Sequence, residues 1–327
     1  RYLSPHDTTQ AFDTATCNYW LPVDQYIGGI EHAILHLMYS RFFTKVLFDM
    51  NLVGFDEPFA HLFTQGMICK RSEKDGQLYK MSKSKGNVVS PDALIRDYGA
   101  DTVRLYTLFI GPPEKDAEWS DQGIEGAVRF LRRLWRRVYE NREVILASRG
   151  LKCDQTAMGD AERDLYRKLH ETIDRMTRDM EGDFHFNSAI AEIMELMNAM
   201  DECGVAADSG DQRKAVYREA IETGVLLLSP FAPHVCEELW QELGHEPSIL
   251  KAAWPVSSKT AMARKEVEVA IQVNGKVRDR ITVEVDLDRA ELEKRALACE
   301  SVSRQLRGRT VRKVVVVPNK LVNIAAV

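Results

Sequence analysis

The stretch Gln25-Tyr26-Ile27-Gly28-Gly29 decides the fold of this 327-residue chain. It has the pattern of a short buried strand that ends in a glycine turn. From residue 30 to about residue 48, apolar side chains recur at helical spacing and mark one face of a helix, formed by Ile34, Leu35, Met38, Phe42, Val46 and Leu47. Strand, turn and helix in this order are the unit of a parallel α/β sheet, in which ligands bind at the carboxyl ends of the strands.

A loop rich in lysine and serine follows the next extended segment. It reads Lys80-Met81-Ser82-Lys83-Ser84 and continues as Lys85-Gly86-Asn87. Ammonium groups on flexible stems, hydroxyl donors and a glycine that lets the backbone approach phosphate suit a polyanion. A run of lysines is by itself more often a solvated face, so this interpretation depends on the neighbouring sequence.

The residues after this loop predict helices. Ser90-Pro91 is a good start for a helix that stops at Gly99, and a second helix ends at Gly111-Pro112-Pro113, where we place the first domain boundary. From 114 to 256 the apolar spacing is helical throughout and predicts a bundle. Its core stripes include Trp135 on one helix and a methionine-rich face, Met194 to Met200, on another.

The period of the pattern changes to two after a linker at about residues 252–264. Val267, Val269, Ile271 and Val273 alternate with polar residues, and Asn274-Gly275 is a type I′ turn signal. A hairpin, one or two helices and one or two more strands predict a small α+β domain over 264–327. The predicted fold class is therefore multi-domain: an α/β part over 1–113, an all-α bundle and this α+β domain.

Bulk composition narrows the function classes. A formal charge of −5 and a pI near 6.0 restrict any nucleic-acid contact to local basic patches. Six cysteines without a Cys-x-x-Cys pair disfavour a structural metal site and a disulfide framework, and favour the cytoplasm. No apolar run approaches the ~20 residues that span a bilayer. The first residue is Arg1 rather than methionine, so we expect a fragment of a longer polypeptide.

The loop and its surroundings together resemble a known enzyme family. Lys80 to Asn87, then Ser90-Pro91-Asp92 and Tyr98-Gly99-Ala100-Asp101, follow the order found in class I aminoacyl-tRNA synthetases for branched aliphatic amino acids. The stretch from Tyr19 to Ala33 resembles the leucyl-tRNA synthetases in particular. Essentially the whole chain is similar to the C-terminal part of a bacterial leucyl enzyme: the second half of a Rossmann-like catalytic fold, an anticodon-binding-type bundle and a small C-terminal domain.

The resemblance implies a nucleotide site. Lys80 and Lys83 would stabilise charge on the triphosphate of ATP, and the other implied ATP-binding residues are Gly28, Gly29, Glu31, His32, Met67, Ile68, Met81, Ser82 and Ser84. Mg²⁺ would be bound mainly through the nucleotide and water, without a protein metal site. Other interpretations stay open: an ordinary strand-to-helix turn at the glycines, a buried structural histidine at 32, and plain core at Met67 and Ile68.

Basic residues on two domains are candidates for tRNA contact. Arg132 and Arg136 lie on a predicted helical face with Arg129 and Arg133, although a solvated face paired with acids such as Glu140 is the alternative. The resemblance adds four candidates in the last domain: Lys276, Arg278, Arg312 and Lys313. The implied partners are tRNA(Leu), ATP and leucine, with no membrane and a monomeric chain.

The sequence also departs from the family pattern. It has no His-x-Gly-His motif, and only about ten residues, 70–79, stand where leucyl enzymes often carry an inserted module. The implied function is leucine–tRNA ligation by the parent enzyme, with this chain expected to be inactive alone. The alternatives are a non-catalytic tRNA-binding module, one chain of a split synthetase, or valyl or isoleucyl specificity.

Overall fold

The computed structural model describes residues 1–182, 184–246, 248–263 and 266–327. The chain divides into two compact units, Arg1–Ser257 and Ser258–Val327. Each unit has a hydrophobic core of its own. The predicted start of the last domain at residue 264 lies outside the described residues.

The first unit begins with the predicted strand, turn and helix. Its first elements are α1 (Thr14–Trp20), β1 (Val23–Gly29), α2 (Glu31–Ile34), α3 (His36–Asp49) and β2 (Phe59–Gln65). β1 and β2 pair in parallel, with Tyr26 opposite Leu62. The prediction of a parallel α/β unit is therefore confirmed, although the single predicted helix is two helices that meet at Leu35.

The prediction that this strand is buried is wrong. Ile27 is 49% exposed, and on the apolar face of α3 Met38 and Phe42 are 61% and 65% exposed. A parallel strand is buried only when other layers cover both faces of its sheet. In the described part of the chain, β1 and β2 form a two-stranded sheet, and this apolar face stays open to solvent.

A hairpin presents the lysine-rich loop. β3 (Ile68–Arg71) and β4 (Leu78–Lys80) pair antiparallel, and the loop leaves the end of β4. After the loop come α4 (Pro91–Tyr98), α5 (Ala100–Phe109) and β5 (Ala117–Glu118), which pairs in parallel with β3. Ser90 occupies the predicted N-cap position, but its side chain makes no capping hydrogen bond.

Five helices form the predicted bundle: α6 (Asp121–Ala147), α7 (Asp160–Glu181), α8 (Phe186–Cys203), α9 (Asp211–Leu228) and α10 (Pro233–Glu242). The methionine-rich face of α8 is core, as predicted, with Met197 and Met200 both 2% exposed. Trp135 was predicted in the core stripe of α6 but is 37% exposed. Leu105 of α5, which precedes the predicted domain boundary at 113, belongs to the same core as the bundle helices. The domain boundaries at 113 and 256 stay predictions.

The second unit is a four-stranded sheet covered by helices. Its elements are α11 (Lys259–Met262), β6 (Glu266–Val273), β7 (Lys276–Glu284), α12 (Arg289–Ala298), α13 (Glu300–Leu306), β8 (Val311–Val317) and β9 (Leu321–Ala326). The strand order is β7-β6-β9-β8. Asn274 and Gly275 have φ angles of 51° and 77°, as the predicted type I′ turn requires. The three parts confirm the predicted fold class.

Two charged residues of α5, Asp101 and Arg104, link the part of the first unit that precedes the bundle to the bundle itself. The Asp101 carboxylate, 5% exposed, accepts from the backbone N–H of Val235 at 2.7 Å and contacts His234 Nδ1 at 2.8 Å. Arg104 donates to the carbonyls of Pro230 at 3.0 Å and Phe231 at 3.3 Å. Both side chains therefore satisfy backbone groups at the turn between α9 and α10, where helix ends leave unpaired donors and acceptors.

We predict that Asp101→Ala destabilises the first unit by about 1–3 kcal/mol, because the partly buried amide of Val235 loses its acceptor. Urea unfolding followed by circular dichroism measures the change. Asp97→Ala is the matched control: Asp97 is exposed and pairs with its neighbour Arg96, so its loss should change stability by less than about 0.5 kcal/mol. Equal unfolding midpoints for the two variants would contradict the anchoring role of Asp101.

Candidate nucleotide and tRNA site

A buried asparagine shapes the lysine-rich loop. The side chain of Asn87, 2% exposed, accepts from the backbone N–H of Ser82 at 2.9 Å and donates to the carbonyls of Lys70 at 2.8 Å and Tyr79 at 3.1 Å. It therefore links the start of the loop to both strands of the hairpin. Asn87 was not among the predicted site residues, although its place directly after a Lys-Gly pair was visible in the sequence.

A buried hydroxyl holds the far side of the loop. Ser72, 3% exposed, donates from its hydroxyl to the carbonyl of Lys85 at 3.2 Å. Lys74 donates from Nζ to the carbonyl of Ser84 at 2.9 Å. Between these contacts the backbone makes a short 3₁₀ turn, Lys83–Lys85, which ends at Gly86 in the left-handed region with φ 67°. Ser72 and Lys74, in the turn between β3 and β4, therefore hold the loop backbone in place through these two hydrogen bonds.

The ion pair between Lys80 and Glu31 joins the loop to the glycine turn. Lys80 Nζ lies 2.6 Å from Glu31 Oε1, and both side chains are about half exposed. The hydrogen bond and charge of Lys80 hold the pKa of the Glu31 carboxyl below its usual range. The family resemblance assigned Lys80 and Glu31 to one nucleotide site. They are 49 residues apart in the sequence and are in contact in the structure.

The other side chains of the loop differ in their exposure and in their partners. Lys83 is exposed and forms no ion pair with any residue that the structure describes. The Lys85 ammonium lies 4.0 Å from the centre of the Tyr79 ring, and the hydroxyls of Ser82 and Ser84 are 3.2 Å apart. Met81 is half-buried and packs against the main core. Lys83 is therefore the loop cation most accessible to an anion.

The glycine turn leaves little room above the end of β1. A Cβ on Gly29 would lie 2.7 Å from Glu31 Oε2, whereas one on Gly28 would keep an ordinary contact of 3.6 Å with the His32 ring. A side chain at Gly29 would therefore displace the Glu31 carboxylate from its position beside Lys80. His32 is exposed, so the alternative of a buried structural histidine is wrong.

Met67 and Ile68 lie at the start of β3. The backbone N–H of Met67 donates to Asp116 Oδ1 at 2.6 Å, and its carbonyl accepts from the N–H of Ala117 at 3.0 Å. Ile68 is half-buried and packs against the main core. The backbone of Met67 and the side chain of Ile68 therefore already have partners within the fold.

The arginines of α6 divide into two groups. Arg137, 5% exposed, donates to the carbonyl of Met197 at 2.7 Å, and both it and Arg133 pair with Asp201. Arg136 is exposed, with its Nε 3.8 Å from Glu140. Arg132 is exposed and has no ion-pair partner in the described ranges. Arg133 and Arg137 therefore stabilise the bundle, and Arg132 is the candidate with a free charge.

The basic candidates of the second unit lie at opposite edges of its sheet. Lys276 and Arg278 are on β7, Arg312 and Lys313 are on β8, and all four are exposed. Two strands separate these edges, so the pairs are about 14 Å apart. The structure therefore places these candidates as two separate pairs.

Within 1–182, 184–246, 248–263 and 266–327, no group of three or more His, Cys, Asp and Glu side chains is placed to hold a metal ion. The six cysteines are all free. No described helix combines the length and apolar character needed to cross a membrane.

Two family models match the chain. The model described as tRNA synthetases class I (I, L, M and V) matches residues 5–120, which contain the glycine turn and the loop. The model described as the anticodon-binding domain of tRNA ligase matches residues 162–294.

Similar proteins cover nearly the whole chain. A leucine–tRNA ligase of Thermosipho melanesiensis is 50% identical over 325 residues, which are 99% of this chain and 38% of that protein. A leucine–tRNA ligase of Geobacter sp. is 50% identical over 324 residues, with the same coverage. The chain thus spans about two fifths of the length of the curated relatives it matches.

Solved structures agree with this match. The Agrobacterium radiobacter K84 agnB2 LeuRS, solved as a ternary complex with tRNA and LeuAMS, superposes with a TM-score of 0.80 at 34% identity, covering 96% of this chain and 40% of that one. A methionyl-tRNA synthetase of Mycobacterium tuberculosis, with a TM-score of 0.56 at 21% identity over 73% of this chain and 48% of that one, shares the fold alone. The chain therefore belongs to the class I aminoacyl-tRNA synthetases, in the family of the leucine–tRNA ligases.

Proposed function

We propose that this chain supplies the triphosphate clamp and tRNA-docking surfaces of a leucine–tRNA ligase. The observation that carries the proposal is the 2.6 Å contact between Lys80 and Glu31, which brings the loop to the carboxyl end of β1. Ligands of open α/β sheets bind at this end of the strands. The substrates are leucine, MgATP and tRNA(Leu), and the chain acts as a monomer in the reducing cytoplasm that its unpaired cysteines favour.

The reaction has two steps. The leucine carboxylate attacks the α-phosphorus of ATP and pyrophosphate leaves; a terminal hydroxyl of the tRNA then takes the leucyl group from the adenylate. The chain's own contribution is electrostatic, because charge builds on the leaving phosphates and Lys80 and Lys83 donate to it. A single preorganised donor of this kind is worth ~3 kcal/mol. Mg²⁺ would enter the site with the nucleotide and would neutralise part of the phosphate charge there.

Glu31 has two roles in this proposal. Without nucleotide, its carboxylate neutralises Lys80 and holds the loop close to the glycine turn. With nucleotide, the phosphates compete for Lys80, and Glu31 is released to accept hydrogen bonds from the ribose hydroxyls. The ion pair therefore opposes binding of a phosphate chain that carries no ribose, and favours a ligand that satisfies both partners.

This competition predicts the effect of Glu31→Gln. Inorganic triphosphate should bind the variant about two- to fivefold more tightly than the unaltered chain, since an exposed ion pair of modest strength no longer has to be broken. Lys80→Met should weaken the same binding. Isothermal titration calorimetry with triphosphate measures both changes.

Glu73→Gln is the matched control for Glu31→Gln. Glu73 is an exposed carboxylate of the same hairpin and forms no ion pair with a described residue. The Glu73→Gln substitution removes one negative charge near the loop but leaves the ion pair between Lys80 and Glu31 intact. If Glu31→Gln binds triphosphate no better than Glu73→Gln, the competition between Glu31 and phosphate is refuted.

ATP–pyrophosphate exchange separates a catalytic chain from the alternative of a tRNA-binding module or one part of a split enzyme. We expect no leucine-dependent exchange by these 327 residues, because the sequence has no His-x-Gly-His motif to supply the other phosphate contacts. Exchange clearly above a leucine-free control would contradict this expectation and assign catalysis to the chain itself.

We expect salt-sensitive tRNA binding with a contribution from the second unit. The double variant Lys276→Gln/Arg278→Gln should lower affinity and reduce the slope of log K against log salt by about one to two, since each lost phosphate contact removes ~0.9. Arg280→Gln is the control on the same strand, because Arg280 is already paired with Glu268 at 2.6 Å. If the slope of log K against log salt is the same for the double variant and for Arg280→Gln, β7 does not contact tRNA phosphates.

A further inference from the structure

A pocket of about 510 Å³ lies in the first unit, away from the nucleotide site. It is formed where the turn between α4 and α5 meets α6 and α10. The side chains that bear on its chemistry are Tyr98, Asp101, Arg132, Trp135 and His234. Its volume is within the range of small-molecule pockets, ~300–1,000 Å³.

A buried carboxylate fixes an imidazole at the edge of this pocket. Asp101 is 5% exposed and contacts His234 Nδ1 at 2.8 Å, whereas the His234 side chain is 78% exposed. Because an ionised carboxylate only accepts hydrogen bonds, Nδ1 carries the proton in this pair. The orientation of the ring is therefore set, and its Nε2 remains available to a ligand.

Aromatic rings form the wall of the pocket. Trp135 is 37% exposed, and its ring stacks on that of Tyr139, with centroids 5.1 Å apart and an interplanar angle of 21°. Tyr98 is 38% exposed. The stack holds the indole in one orientation, so one aromatic face is ready to receive a planar group.

The charge beside this wall is positive. Arg132 lines the pocket, and no described acid forms an ion pair with it. Arg129 and Arg136 lie one turn away on either side, and each has an acid only at 3.8 Å. An aromatic platform next to an unpaired guanidinium and an oriented imidazole is the combination that binds single nucleotides of unpaired RNA, by stacking and by phosphate contact.

We propose that this pocket receives one unstacked nucleobase of an RNA, which stacks on Trp135 while Arg132 holds an adjoining phosphate and His234 meets the base edge. The inference rests on the proposed function in taking tRNA as the RNA. The stacking site lies at the junction of α5 with the bundle. It explains why Trp135, predicted in the core, is 37% exposed.

Stacking and phosphate contact have different salt signatures, and this difference tests the proposal. Trp135→Leu should weaken binding of a tRNA(Leu) transcript by about fivefold or more and leave the salt slope unchanged, because stacking releases no counterions. Arg132→Gln should weaken binding and also lower the slope by about one. Fluorescence anisotropy over a salt series measures both quantities, and circular dichroism checks that each variant is folded.

Trp254→Leu is the matched control, because Trp254 lies in the same unit, is also 37% exposed and donates from Nε1 to Thr177 Oγ1 at 2.9 Å. If Trp135→Leu binds tRNA as well as Trp254→Leu does, the stacking site is overturned; a slope change in Arg132→Gln would then still support tRNA docking. If the unaltered chain shows no salt-sensitive tRNA binding, tRNA docking and the stacking site are both overturned.

Discussion

The hydrogen bonds of the Asn87 side chain are the constraint on which the site depends. A loop with three lysines repels itself, and nothing in its composition favours one conformation. One buried carboxamide, with a donor and an acceptor in the required places, joins the loop to both strands of the hairpin. An unpaired buried amide would be costly, so the loop backbone is held where it satisfies Asn87. Lys80 then lies at the end of β4, within reach of Glu31.

The two parts of the first unit are joined by contacts of another kind. Asp101 and Arg104 satisfy backbone groups at the turn between α9 and α10, and Leu105 belongs to the core of the bundle. The segment from Tyr98 to Leu105, which begins with the Tyr98–Asp101 stretch that carries the family resemblance, therefore connects the loop-bearing part to the bundle. The pocket beside Trp135 lies at this joint, so a nucleotide bound there would contact both parts.

Sequence reasoning was most successful where periodicity and turn chemistry act locally. The bundle helices, the Asn274-Gly275 turn and the strand–turn–helix unit were predicted because hydrophobic spacing and positive φ angles leave few alternatives. It failed where burial depends on distant neighbours: β1 was expected to be buried, and Trp135 was expected in the core. Among the described residues, Arg137 is paired and Arg132 is not because Asp201, 64 residues after Arg137, lies beside Arg137, and no local pattern reveals that position.

In the proposed function, the loop that Asn87 holds in place binds the phosphates of ATP. Hydrogen exchange of the amides at 80–87, with and without saturating MgATP, measures this binding in both the unaltered chain and Asn87→Ala. We predict that nucleotide slows exchange across the loop of the unaltered chain. In Asn87→Ala, exchange should be faster without nucleotide and should respond less to it. Loop amides that exchange at the same rate with and without MgATP in the unaltered chain would contradict the account.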